Sequence, residues 1–183
     1  MKDLVGKLLI APPNVRGNFF QKTVILISEH HARGTVGVVL NKPSTVTLKE
    51  FARQNNAMLD IPGYAHVGGP VNVKALTMIH TPEWKCNNTM QINNDFCISS
   101  SPEILTKMAM GRSPKQWRIF VGLCGWATGQ LQSELDGIPP YSKNNSWLTA
   151  TADLDIVFEH DKQDQWTEAI DRSGSEFAQK FFA

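Results

Sequence analysis

Thr23-Val24-Ile25-Leu26-Ile27-Ser28, then Glu29-His30-His31-Ala32-Arg33-Gly34, then Thr35-Val36-Gly37-Val38-Val39-Leu40 is the stretch that decides the fold class. The two outer runs are rich in β-branched residues and too short for helices, so each reads as a core strand. The six residues between them are polar and end in glycine, which predicts an antiparallel hairpin with its loop over residues 29–34. Asn41-Lys42-Pro43 ends the second strand.

Outward from this hairpin the pattern alternates between strands and short helices. Upstream, residues 4–10 read as a strand stopped by Pro12-Pro13-Asn14. Downstream, Thr47-Leu48-Lys49-Glu50 fits a capping box, predicting a helix to about residue 54. Strands are predicted over 64–67 and 74–80, separated by Gly68-Gly69-Pro70, and over 89–92 and 96–99. Ser101-Pro102-Glu103 opens a helix whose apolar stripe is Ile104, Leu105, Met108 and Ala109, closed by Gly111. Residues 117–123 form the most apolar later strand, and Gly125-Trp126-Ala127 turns out of it into a helical segment with Leu131 and Leu135 on one face. A loop over 137–145 leads to a strand around Trp147-Leu148-Thr149. An acidic helix over 163–172, with Trp166, Ala169, Ile170 and Ser173 turned inward, completes the pattern. Without repeats, low-complexity tracts or a linker, the 183 residues read as one domain.

Composition excludes several classes. Apolar residues make up 42% and charged residues 19%, so a packed core is expected rather than disorder. The longest apolar runs, over 24–27 and 119–124, fall far short of the roughly 20 residues a bilayer span needs, so no membrane association is expected. An acid at Asp3 and the Pro12-Pro13 pair argue against a secretory signal and for the cytoplasm. Cys86, Cys97 and Cys124 are odd in number and lack paired spacing, so they read as free thiols, each most simply a small buried hydrophobe.

The ordered motifs identify a family. Leu8-Leu9-Ile10-Ala11 before a proline, Phe20 entering a strand, Ser28-Glu29-His30, Gly34-Thr35-Val36-Gly37 and Leu40-Asn41-Lys42-Pro43 come first. Gly68-Gly69-Pro70-Val71, His80-Thr81-Pro82 and Ser100-Ser101-Pro102-Glu103-Ile104-Leu105 follow. Gly125-Trp126-Ala127-Thr128-Gly129-Gln130-Leu131 and Trp147-Leu148-Thr149-Ala150 close the set. In this order and at these spacings the chain resembles YqgE/AlgH proteins along nearly its whole length. The resemblance implies a mixed α/β fold of the α+β kind: a bifurcated, largely antiparallel sheet with a barrel-like part, surrounded by helices, in a cytosolic bacterial-type protein. It implies no agreed activity. The family carries a transcriptional-regulator label and a gene neighbourhood with a resolvase-like protein, both associational. The chain departs from the family pattern at Ser28, where a cysteine is common, at Leu123-Cys124 in place of a Tyr-Ala type pair, and after Gly174. Those departures exclude a thiol function at position 28 and suit a phage or distant bacterial homologue.

No complete catalytic set is legible. Glu29 and His30 at a strand end offer an acid and a base for a hydrolase or transferase assembled by the fold, although alternation sends Ser28 and Glu29 to opposite faces. The plainer reading is that Glu29 or His30 fixes the loop by bonding backbone near Asn41 or Gly68. Glu29, His30, Asn41, Gly68, Gly69, Pro70, His80, Gly125, Trp126 and Gln130 are therefore the candidate cluster, as a ligand site or as fold determinants. The Gly125 to Gln130 turn has amides suited to an anion, or small residues suited to close packing beside Trp126.

The five histidines have no metal-ligand spacing, and the glycines match no nucleotide loop, so no metal or cofactor is expected. Arg112, Lys115 and Arg118 interleave with Trp117 and are candidate nucleic-acid contacts. Residues 1–122 carry 14 Lys/Arg against 7 Asp/Glu, and residues 123–183 carry 4 against 10. That asymmetry leaves an acidic C-terminal segment as a candidate protein-partner surface. The expectation is a non-enzymatic binding or regulatory protein.

Overall fold

The hairpin around residue 30 is present in the computed structural model, which describes residues 4–54, 58, 60–141, 143, 146–159 and 164–182. In chain order the elements are β1 (Lys7–Ile10), β2 (Val24–His31), β3 (Gly34–Val39), β4 (Pro43–Thr47), α1 (Leu48–Gln54), β5 (Tyr64–Val67) and β6 (Val71–His80). Then come β7 (Thr89–Gln91), β8 (Cys97–Ser99), α2 (Glu103–Ala109), β9 (Trp117–Trp126), α3 (Gln130–Asp136), β10 (Leu148–Thr151) and α4 (Gln165–Phe182), with a π-helical turn at Asp155–Glu159 before α4. They form two compact units, Met1–Asn41 with Cys124–Ala183, and Lys42–Leu123.

In the first unit the strands pair antiparallel in the order β10-β1-β2-β3, and β3 pairs in turn with Gly125 and its neighbours at the C-terminal end of β9. Its core gathers Leu9, Ile25, Ile27, Val39, Trp126 and Leu131, with Phe19, Phe20, Leu135 and Trp147 packed alongside. The α3 face carrying Leu131 and Leu135 is thus buried as its spacing predicts.

In the second unit β9 lies between β5, which runs parallel to it, and β6, which runs antiparallel; β4 adds to β5, and β8 and β7 follow β6. Its core holds Leu48, Phe51, Met78, Ile104, Leu105 and Ile119. Helix α1 starts where its capping box places it: Thr47 N donates to Glu50 Oε2 at 2.9 Å and Glu50 N to Thr47 Oγ1 at 3.1 Å. At α2, Pro102 is already helical and Ser101 Oγ accepts from Glu103 N at 3.2 Å, so Ser101 serves as the cap. The fold is mixed α/β with a largely antiparallel sheet, as the resemblance implies.

Four expectations are corrected. The predicted 29–34 loop is mostly strand: Glu29, His30 and His31 pair with Val36, Thr35 and Gly34, leaving only Ala32-Arg33 as the turn. A bulge at Ser28 permits this, since Ile27 opposes Gly37 while Glu29 opposes Val36. Strand β9 runs on through Gly125 and Trp126, because β3 supplies them with a partner. Helix α4 extends ten residues past Arg172. Ala109 is exposed rather than inward, because α2 ends there. Residues 142, 144 and 145 of the predicted loop, and residue 163 at the predicted helix start, lie outside the described residues. Among the described residues no helix is long and apolar enough to cross a membrane.

Candidate functional site

Glu29 and His30 part company at the hairpin. Across the strands, His30, Thr35 and Trp126 form one row, and Glu29, Val36 and Gly125 the next, so the two side chains leave opposite faces. His30 Nδ1 lies 2.7 Å from Thr35 Oγ1. Glu29 instead pairs with His31 at 3.6 Å, a half-exposed contact. Neither reaches backbone near Asn41 or Gly68, and they make no joint acid–base set. Ser28 Oγ donates to Val36 O at 3.3 Å, which fixes the bulge.

The other first-unit candidates are bonded into the framework. Asn41 bridges two strand ends, accepting from Val24 N at 3.0 Å and donating to Lys22 O at 2.7 Å. In the turn after β9, the amide of Ala127 is taken by Gln130 Oε1 at 3.0 Å, so it is not free for an anion. Gln130 Nε2 then donates to Glu134 Oε1 at 2.9 Å. The other oxygen of Glu134 accepts two indole N–H groups, Trp126 at 3.1 Å and Trp147 at 2.8 Å. Sequence reasoning missed Glu134; the available signal was an acid four residues after Gln130 on the same face of α3 as Leu131.

Further along this unit, Arg172 gathers Asp153, Asp155 and Glu168. Burial disfavours its charge, but the hydrogen bonds it donates to Asp153 and Glu168 outweigh this and raise its pKa. Part of the acidic C-terminal charge is therefore neutralised internally.

In the second unit, Gly68 and Gly69 are buried and Pro70 is exposed. Gly68 N donates to Val121 O at 2.8 Å. Gly122 has φ +77°, and a Cβ there would sit inside van der Waals contact of Gly69 O; a Cβ on Gly68 would do the same to Gly122 O. The close backbone approach at Gly68 and Gly122 leaves no room for a side chain at either position.

His80 lies fully buried in a hydrogen-bonded row. Its Nδ1 faces the carbonyl of Thr81 at 2.9 Å, which can only accept, so that nitrogen carries the proton. Burial holds the imidazole pKa below its usual value, against opposing effects from Thr81 and Glu83. The neutral ring leaves Nε2 to accept from Ser99 Oγ at 2.7 Å, and Ser99 Oγ in turn lies 2.7 Å from Thr89 Oγ1. This is a serine–histidine pair in composition, but both residues have zero exposure, so no substrate reaches Ser99. Ser99 escaped sequence analysis because strand register, rather than spacing, brings it to His80.

Of the basic candidates, Arg112 and Lys115 are exposed, and Arg118 is half-buried on β9 opposite Ile79. Glu83 Oε1 accepts from Lys115 N at 2.7 Å. Burial tends to raise the Glu83 pKa, but the bonds from Lys115 N and the Thr81 hydroxyl prevail and lower it, keeping an anion beside Lys115.

A half-enclosed groove of about 370 Å³ lies in this unit between β4, α1, β5 and the start of β6. Ser44, Val46, Phe51, Gln54, Ala65, His66, Val67, Gly69, Val73, Lys74 and Val121 line it. Val73 is 64% exposed at its edge. Among the described lining residues Lys74 is the one Lys or Arg, and none is a carboxylate. Among the described residues no group of three or more His, Cys, Asp or Glu is placed to hold a metal ion.

A family model described as AlgH-like matches residues 8–178. A UPF0301 protein of Shewanella loihica is 31% identical over 179 residues, covering 95% of this chain and 93% of its own length. Another from Nitrosospira multiformis is 34% identical over 184 residues, covering 96% and 93%. The solution structure of AlgH from Pseudomonas aeruginosa superposes with a TM-score of 0.78 at 29% identity, covering 95% and 93%. A crystal structure of the Corynebacterium diphtheriae protein DIP2367, at 23% identity and a TM-score of 0.72 with coverage of 94% and 88%, shares the fold.

Proposed function

The chain belongs to the AlgH-like family, and from that premise we propose that it is a non-enzymatic binding or regulatory protein of the cytoplasm whose ligand occupies the groove of the second unit. The observation that carries this reading is the contrast in access. His80 and Ser99 are sealed and the Glu134 cluster is bonded to its own tryptophans, whereas the groove presents apolar wall and a lysine to solvent. Such concave, mostly apolar sites with few polar groups are what small ligands use. Three free cysteines, Cys86, Cys97 and Cys124, support a reducing compartment.

The test is an amide NMR titration with a fragment set, on the wild type and on Val73→Trp, which plugs the groove mouth from an exposed position. Shifts at residues 44–46, 65–67 and 73–74 that V73W suppresses are the expected result. Shifts confined to other surfaces remove the groove reading.

A transcription-related role through direct nucleic-acid contact would use the exposed Arg112 and Lys115, on a unit with nine Lys/Arg against five Asp/Glu. Mobility shifts on duplex, single-stranded and junction DNA across a salt series decide it. Binding no tighter than about 10 µM at low salt removes this version, since phosphate contacts strengthen as salt falls.

A further inference from the structure

Resting on the groove reading above, we infer that this site takes a small amphipathic monocarboxylate, with its hydrocarbon body against the apolar wall and its carboxylate at Lys74. The wall is Val46, Phe51, Ala65, Val67, Val73 and Val121. A groove of about 370 Å³ falls in the size range of clefts that hold small molecules, roughly 300–1,000 Å³.

Charge selects the head group. Among the described lining residues, which also include the imidazole of His66, Lys74 is the one Lys, Arg, Asp or Glu; it is exposed, and it makes no ion pair with a described carboxylate. A cationic ligand would meet an unpaired like charge, and a neutral one would leave the lysine unused. A single lysine without arginine or a glycine-rich amide cradle does not build a phosphate site, which calls for several convergent donors. Ser44 and Gln54 add neutral polar atoms along the lining and leave the charge balance unchanged. The uncovered apolar surface at Val73, 64% exposed, is area that a hydrocarbon body would take out of water.

The experiment titrates the full chain with sodium decanoate, decylammonium chloride, sodium acetate and a short hydrophobic peptide with a free C-terminus, below micelle-forming concentrations, reading amide shifts. Decanoate is expected to move residues 44–46, 65–67 and 73–74, with acetate and decylammonium far weaker. K74E is expected to weaken decanoate about five-fold, the scale of an exposed ion pair, while K74R keeps it. V73W abolishes the groove shifts without altering the remaining spectrum. Decylammonium binding as tightly as decanoate, an unchanged decanoate affinity in K74E, or the peptide binding where decanoate does not, each overturns the carboxylate while leaving a binding groove. Groove residues unmoved by every probe, with the protein folded, overturn the carboxylate and the groove reading together.

Discussion

In the first unit, Glu134 is half-exposed and holds two tryptophan N–H groups and a glutamine at the edge of a core. In the second, His80 and Ser99 hold each other with no exposure at all, while an open groove lies elsewhere in the same unit. Both arrangements satisfy polar groups, yet they differ in what disturbing them should do. The acid of the first unit retains access to water and can recover part of a lost bond from solvent. The histidine of the second cannot, because an unsatisfied group in a dry core bears its full desolvation cost. Composition that looks catalytic is therefore structural where it is sealed.

Substitutions can break this contrast, taken here from the largest expected effect downward. Gly122→Ala places a Cβ against Gly69 O at a positive φ and should cost about 3 kcal/mol or more, seen as a lowered urea midpoint. Because Gly122 lies within the second unit, hydrogen exchange should report loss of protection first at Met78 and Ile119 rather than at Leu9 and Ile25. Ser99→Ala strands His80 Nε2 and should cost about 2 kcal/mol, whereas Glu134→Ala, with water within reach, should cost about 1 kcal/mol and alter tryptophan fluorescence. Equal costs for the two would erase the distinction between sealed and accessible polarity. Thr47→Ala, removing one helix cap, should cost about 1 kcal/mol or less.

The pH dependence sharpens the same point. His80 has a folded pKa below its ordinary value of about 6.5, so as pH falls through that value the unfolded chain binds protons that the folded one refuses. Stability from this group is full above about pH 6.5 and declines on acidification toward the lowered folded pKa. His80→Gln should flatten that part of the profile even though it destabilises at neutral pH. Thiol chemistry orders the cysteines by burial: Cys124 is pushed up to about 12 and Cys97 is also raised by burial, so iodoacetamide at pH 8 should label the half-exposed Cys86 first. Labelling of Cys124 at a comparable rate in the native protein would mean that this core opens.

What was legible in the sequence was local. Thr47 and Glu50 find each other three residues apart, and Leu131 with Leu135 mark a helix face, because both relations are set by helix geometry alone. The extension of β2 through Glu29, His30 and His31 was not legible, since polar residues become strand only when a partner such as Thr35 is supplied at the right register. The same limit hid Ser99 beside His80. Asn41, Gly68, Gly69 and His80 stand out in the sequence as unusual residues, yet the bonds and close backbone approaches they make are disclosed only by the assembled strands. Of the groove only Gly69 belongs to a motif legible in the sequence; the rest of its described lining is ordinary side chains from β4, α1, β5, β6 and β9.

Strand β1 pairs with the edge strand β10, from Lys7 opposite Thr151 to Ile10 opposite Leu148, so that pairing joins segments far apart in the sequence, with the residues of the second unit between them in chain order. On the ribosome, that order has a cost in time. At about 5–20 residues per second, the edge presented by Leu8, Leu9 and Ile10 waits roughly 7 to 28 s after its own synthesis for residue 148 to be made. The inserted unit can finish during that interval, while the first unit is completed last, with one open edge of the β1 strand, already paired with β2 on its other side, to be shielded from neighbouring nascent chains in the meantime.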